Sequence, residues 1–133
     1  MTEKIKRRLE GEGGFTLIEL LVVIIILGIL LAIAVPSYLS FRDRANDSAA
    51  KSNVRAAVPA IEACYSDYGS YTNCTSAKLK SSYDQGLATT GNSAVTVTVT
   101  ATSYCISAQG KDASTFWKKL GPGADITSVG TSC

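Results

Sequence analysis

Glu19 is the first residue whose position demands a chemical account. It stands four places after Phe15 and directly before LLVVIIILGILLAIAV, sixteen residues from Leu20 to Val35 without a charge or a polar side chain. A carboxylate inside a membrane segment costs on the order of 2.5 to 3.5 kcal/mol at mid-helix and less near an end, so it calls for a cationic partner. One account is local: an acid in the first turn of a helix complements the macrodipole, worth about 0.3 to 1 kcal/mol. The other begins at Gly11, Gly13 and Gly14, small residues that separate a basic leader from the apolar run. Cleavage after Gly14 would free an α-amino group on Phe15, and that amine and Glu19 would be the two charges of an otherwise apolar surface. Paired between neighbouring copies, they would fix the axial register of a helical bundle. The second account also explains the leader and is preferred.

Other chemistry is sparse. There is no histidine, which removes the commonest general base and metal ligand. No Gly-rich phosphate loop and no acidic cluster of metal-binding spacing is present, so the chain reads as a non-enzyme without a cofactor or metal. Net charge is +2, but Lys4, Lys6, Arg7 and Arg8 face only Glu3, Glu10 and Glu12 in the first fourteen residues, leaving nine basic and eight acidic side chains beyond them. A body so nearly neutral argues against phosphate binding as its main work, and no specific nucleic acid is expected.

These residues must be positioned by three successive zones: a leader 1–14, a hydrophobic segment 15–41 and a head 42–133. Leu20 to Phe41 gives 22 uncharged residues, or about 33 Å of helix, which matches a bilayer core. An ordinary secretory signal places its cleavage site after the apolar stretch. Here the small residues come before it, so cutting would leave the helix on the mature chain. Lys4 to Arg8 keep the leader cytoplasmic and send the rest outward. In the head, Val54, Val58, Ile61, Tyr65 and Tyr68 recur at helical spacing and predict one apolar face over 42–68, opposite Arg42, Asp43, Arg44, Asp47, Lys51 and Arg55. Asp47 and Lys51 stand in the favourable i, i+4 order. The helix should end near Gly69 and bend at Pro59. Residues 69–93 read as loop. Val95, Val97 and Val99 alternate with Thr96, Thr98 and Thr100 as a half-buried strand, and further strands are expected from about Ser103 to Gln109 and from about Ser114 to Leu120. The expected fold is α+β, a long N-terminal helix packed on a small antiparallel sheet of about three to four strands over 94–133.

Gly13-Gly14-Phe15-Thr16-Leu17-Ile18-Glu19-Leu20 resembles the processing and assembly signature of the type IV pilin superfamily, and the likeness runs from Gly13 through Phe41 and includes Pro36. The resemblance implies a prepilin peptidase that cuts between Gly14 and Phe15 and methylates the new amine. Methylation keeps the positive charge, so a pair with Glu19 of a neighbouring subunit survives it. It further implies identical subunits in a helical filament, raised by a pilus assembly machinery from the bacterial cell membrane to the outside. Pro36 removes the bond to the Ala32 carbonyl and Gly28 weakens the helix before it, so the stretch between them is a weak point. In resembling pili this stretch can unwind. Within the superfamily a minor pilin or a type II secretion pseudopilin is the alternative, and outside it a membrane-anchored extracellular binding protein or enzyme.

The four cysteines lie beyond the apolar segment, as disulfides in an oxidising compartment require. Of the three possible pairings, Cys64–Cys74 and Cys105–Cys133 are favoured, each worth around 3 kcal/mol. The Phe116-Trp117-Lys118-Lys119 run is read as an alternating strand with exposed lysine and buried aromatic, in preference to a DNA contact. Tyr65, Tyr68 and Tyr71 are read as core packing.

Overall fold

The computed structural model describes residues 13–133; the leader's Lys4, Lys6, Arg7, Arg8 and Gly11 lie outside the described residues. The chain divides into two compact units, Met1–Tyr38 and Leu39–Cys133. Helix α1, Leu17–Tyr68, begins in the first and ends in the second, and it is assigned without interruption through Pro36 and Pro59.

Both ends of α1 are set by local chemistry. At its start the Thr16 hydroxyl accepts the Glu19 amide at 3.2 Å, an N-cap. At its end Gly69 takes φ +65°, the left-handed conformation that a Cβ disfavours, and its amide returns to the Tyr65 carbonyl at 2.7 Å. That five-to-one bond closes the last turn and stops the helix.

In the second unit α1 is followed by a 3-10 turn, Tyr71–Asn73, and a short helix α2, Ser76–Ser82. Four strands then form an antiparallel meander: β1 Val95–Val99, β2 Tyr104–Gln109, β3 Phe116–Gly121 and β4 Ile126–Val129, each paired with the next. The core joins Ala50, Val54, Ala57, Ile61 and Cys64 of α1 to Leu79, Leu87, Val95, Tyr104, Ile106 and Ala108. β1 has the expected alternation, with Val95 buried, Val97 and Val99 half-buried, and Thr96 and Thr98 exposed. Its outer edge is covered, because the Ala88 carbonyl accepts the Val95 amide and the Ser76 hydroxyl accepts the Val97 amide. Disulfides join Cys64 to Cys74 and Cys105 to Cys133, with Cα separations of 5.9 and 5.8 Å.

Four readings of the sequence are corrected here. The buried stripe of α1 does not continue through Tyr65 and Tyr68, which are 39% and 48% exposed. It runs instead through Ala50, Val54, Ala57, Ala60, Ile61 and Cys64, because alanine admits a closer neighbour than tyrosine. Asp47 and Lys51 have other partners. Asp47 accepts the Lys111 amide at 2.8 Å, and the Lys51 ammonium lies 4.9 Å from the centre of the Trp117 ring. Residues 69–93 are more than loop, since α2 is capped by Thr75 and buries Leu79. Finally, β3 does not alternate: Phe116, Trp117, Lys118 and Lys119 are all half-buried. Lysine stems can lie along apolar surface while the head stays polar, and Lys119 donates to the Ala124 carbonyl.

Candidate assembly and processing site

The N-terminal site is built on the first turn of α1. Gly13, Gly14 and Phe15 precede the helix and are exposed, Phe15 by 77%. Thr16 caps the helix, so Glu19 occupies the third helical position and stands one turn above the cap. The Glu19 side chain is exposed, as are the apolar side chains that follow it to Phe41. None of the most apolar eighteen-residue window is covered by the rest of the chain. Each exposed Leu or Ile forgoes about 1.5 to 3 kcal/mol of burial, so this surface calls for an apolar covering. A Cβ built on Gly13, Gly14 or Gly28 would meet nothing within 4 Å. Glycine at these positions is therefore not required by packing among the described residues.

Sequence reading missed Thr16 as a functional partner of Glu19. The signal was present, because Thr16-Leu17-Ile18-Glu19 has the spacing of a capping box, and the threonine half of that box is formed here.

In the second unit two tyrosine hydroxyls converge on Glu62. One Glu62 oxygen accepts the Tyr104 hydroxyl at 2.9 Å and the other accepts the Tyr71 hydroxyl at 3.1 Å. The rings of Tyr71 and Tyr104 meet edge to face at 5.0 Å, and Tyr65 stacks on Tyr71 at 4.4 Å. Burial and the neighbouring carboxylate push the Tyr71 hydroxyl up to about 12 and the Tyr104 hydroxyl further, because a phenolate would be desolvated and would face a negative charge. Both folded pKa values lie above the ordinary value of about 10. The stabilisation is therefore fully present below pH about 10 and lost as the pH rises through the folded values. Absorbance titration should show Tyr71 and Tyr104 ionising well above the ordinary tyrosine range, whereas in Glu62→Ala both should ionise at lower pH because the carboxylate no longer opposes a phenolate. An unchanged tyrosine titration would refute the coupling. All four cysteines are bridged, and among the described residues no group of three or more His, Cys, Asp or Glu is gathered that could hold a metal ion.

Residues 11–35 match the family described as the prokaryotic N-terminal methylation motif. Over 126 residues the chain is 36% identical to the type IV wide pilus major component PilA4 of Thermus thermophilus, covering 93% of this chain and 92% of that one. The chain belongs to the type IV pilins. This pilin is also 43% identical over 60 residues to the type IV major pilin protein PilA of Myxococcus xanthus, covering 45% of its own length and 27% of that relative's. It is 45% identical over 51 residues to the type II secretion system core protein G of Pseudomonas aeruginosa, covering 38% of this chain and 36% of that one. No solved structure matches the pilin with comparable significance. The relatives are pilus and secretion-system components, and none is named for a catalysed reaction. The likenesses to PilA and to core protein G extend over 60 and 51 residues, whereas the likeness to PilA4 covers 93% of the chain and so takes in most of the head.

Proposed function

We propose that the chain is a structural subunit of a type IV pilus, with no enzymatic role, inserted in the bacterial cell membrane as a prepilin and polymerised into an extracellular filament. The observation that carries this reading is the uncovered apolar surface from Phe15 to Phe41 with one carboxylate at its start. Lipid covers that surface before assembly and other copies cover it afterwards. A prepilin peptidase cuts between Gly14 and Phe15 and methylates the Phe15 amine, and the assembly machinery then pairs that amine with Glu19 of a neighbour. Since no packing among the described residues requires Gly13 or Gly14, their lack of side chains is available to serve an extended segment entering the peptidase. Similarity to PilA4 across nearly the whole length favours a pilus component over a secretion pseudopilin.

Gly28 and Pro36 bound the stretch that yields within the fibre. The isolated subunit keeps it helical, but Pro36 leaves the Ala32 carbonyl without its helical donor, and loss of a few more bonds there is cheap once neighbours can accept them.

Sheared surface material tests the reading directly. Electron microscopy should show filaments, and mass spectrometry of their main subunit should give a chain beginning at methylated Phe15. A surface protein that kept residues 1–14, or one absent from filaments, would overturn it.

A further inference from the structure

A polar cleft of about 270 Å³ lies in the second unit, lined by Leu39, Arg42, Asp43, Asn92, Lys111 and Asp112 among others. Its walls come from α1, from the turn before β1 and from the β2–β3 turn. Three side-chain links hold those segments together across long sequence gaps. Asp47 accepts the Lys111 amide at 2.8 Å, Asn53 donates to the Ser93 carbonyl at 2.9 Å, and the Ser93 hydroxyl donates to the Asn46 carbonyl at 3.4 Å. Ser93 is buried at φ +63°, a conformation a non-glycine residue keeps only where its surroundings enforce it. A Cβ on Gly110 would strike the Asp47 carboxylate, so the β2–β3 turn lies directly against the Asp47 side chain. The cleft is thus built in advance, not assembled by its occupant.

Its charges come in two pairs, the cations Arg42 and Lys111 and the carboxylates Asp43 and Asp112. Asp112 is held in place by the Ser114 amide at 3.0 Å and the Ser114 hydroxyl at 2.9 Å. Among the described residues, no hydrogen bond or ion pair engages the Arg42 guanidinium, the Asp43 carboxylate or the Lys111 ammonium. Chain connectivity keeps Arg42 and Asp43 near the end of the apolar run. Arg42 follows Phe41, the last residue of the apolar run, and Asn46 stands five residues beyond it, or about 7.5 Å at helical rise. The headgroup layer on each side of a bilayer core is roughly 5 to 7 Å deep. Leu39, on the apolar side, also lines the cleft.

We propose that this cleft binds the headgroup of a zwitterionic aminophospholipid while the subunit is held in the membrane, with Arg42 and Lys111 on the phosphate and Asp43 and Asp112 on the ammonium. A purely anionic headgroup would leave both carboxylates facing negative charge. A quaternary ammonium could not donate hydrogen bonds to them. The inference rests on the membrane residence of the apolar helix proposed above, and it does not depend on filament formation.

The test is native mass spectrometry of the full chain released from nanodiscs of phosphatidylethanolamine, phosphatidylglycerol or phosphatidylcholine. One phosphatidylethanolamine should stay bound, in preference to the other two. Arg42→Gln and Lys111→Gln should each lower its retention about tenfold, as loss of a charge-assisted hydrogen bond predicts, while Lys78→Gln, outside the cleft, should not. Asp43→Asn should erase the preference for phosphatidylethanolamine over phosphatidylglycerol. Soluble phosphorylethanolamine should compete poorly, since it lacks the acyl chains held beside Leu39; equal competition would mean the free headgroup is the true ligand and would overturn the lipid assignment. Equal retention by wild type and both cation variants, or equal binding of phosphatidylglycerol, would overturn the site. A chain that failed to enter nanodiscs at all would instead refute the membrane reading beneath it.

Discussion

Replacing Glu19 by Ala is expected to abolish surface filaments while leaving membrane insertion and leader removal intact. The apolar helix from Leu20 onward is unchanged by the substitution, so insertion loses nothing, and the residues flanking Gly14 and Phe15 keep their identity. What disappears is the carboxylate partner of a cationic amine in an apolar setting. Removing one member of a buried ion pair costs about 3 to 5 kcal/mol, because the other is left uncompensated. That is on the order of 10²-fold to several thousand-fold in each subunit contact. If Glu19 acted only on its own helix dipole, the loss would be under about 1 kcal/mol and filaments would persist. Glu19→Gln separates the accounts further, since it keeps size and hydrogen bonding but not charge, and it should fail nearly as badly as Ala. Normal filaments from either variant would sink the ion-pair mechanism.

The second large effect is expected at Gly121, far from that site in sequence. Gly121 pairs with Tyr104 across β2 and β3, and the Tyr104 ring lies directly over it. A Cβ there would overlap the ring, and Tyr104 has nowhere to go: it is 3% exposed, packed on Tyr71 and bonded to Glu62. Gly121→Ala must therefore displace a buried ring and break the Tyr104 hydroxyl's bond. Overpacking and a lost hydrogen bond to a charged group together cost about 3 kcal/mol or more, which should lower the thermal midpoint by roughly 10 °C. The Tyr104→Ala background provides the control. With the ring gone, Gly121→Ala should cost less than about 1 kcal/mol, and full additivity in that double-mutant cycle would show that the ring contact is not the cause.

How legible the molecule is from sequence depends on the strength of each local signal. The apolar run beginning at Leu20 and the Val95–Val99 alternation are long and regular, so the apolar helix and β1 could be placed closely. The stop at Gly69 follows from its permissive backbone. The stretch 69–93 resisted because α2 has seven residues and Leu79 is its one buried side chain, too few to display a period. Tyr65 and Tyr68 misled for a different reason: helical spacing assigns a face, but it does not say where the partner sheet ends. The contacts beyond the sheet, such as Asp47 with Lys111 and Glu62 with Tyr104, join residues 64 and 42 positions apart and leave no mark in local pattern.

The meander has a consequence for how the head acquires its structure. Each strand pairs only with its neighbour in sequence, so the loops that must close to build the sheet are short and their entropy cost is small. Contacts between the sheet and α1 are the distant ones, and they wait for Ile106 and Ala108 to find Val54 and Ile61. With the apolar helix held in the membrane as proposed above, α1 is no longer a searching segment but a template tethered at one end. The late, expensive step of folding then becomes the docking of a preformed ribbon onto a fixed rail.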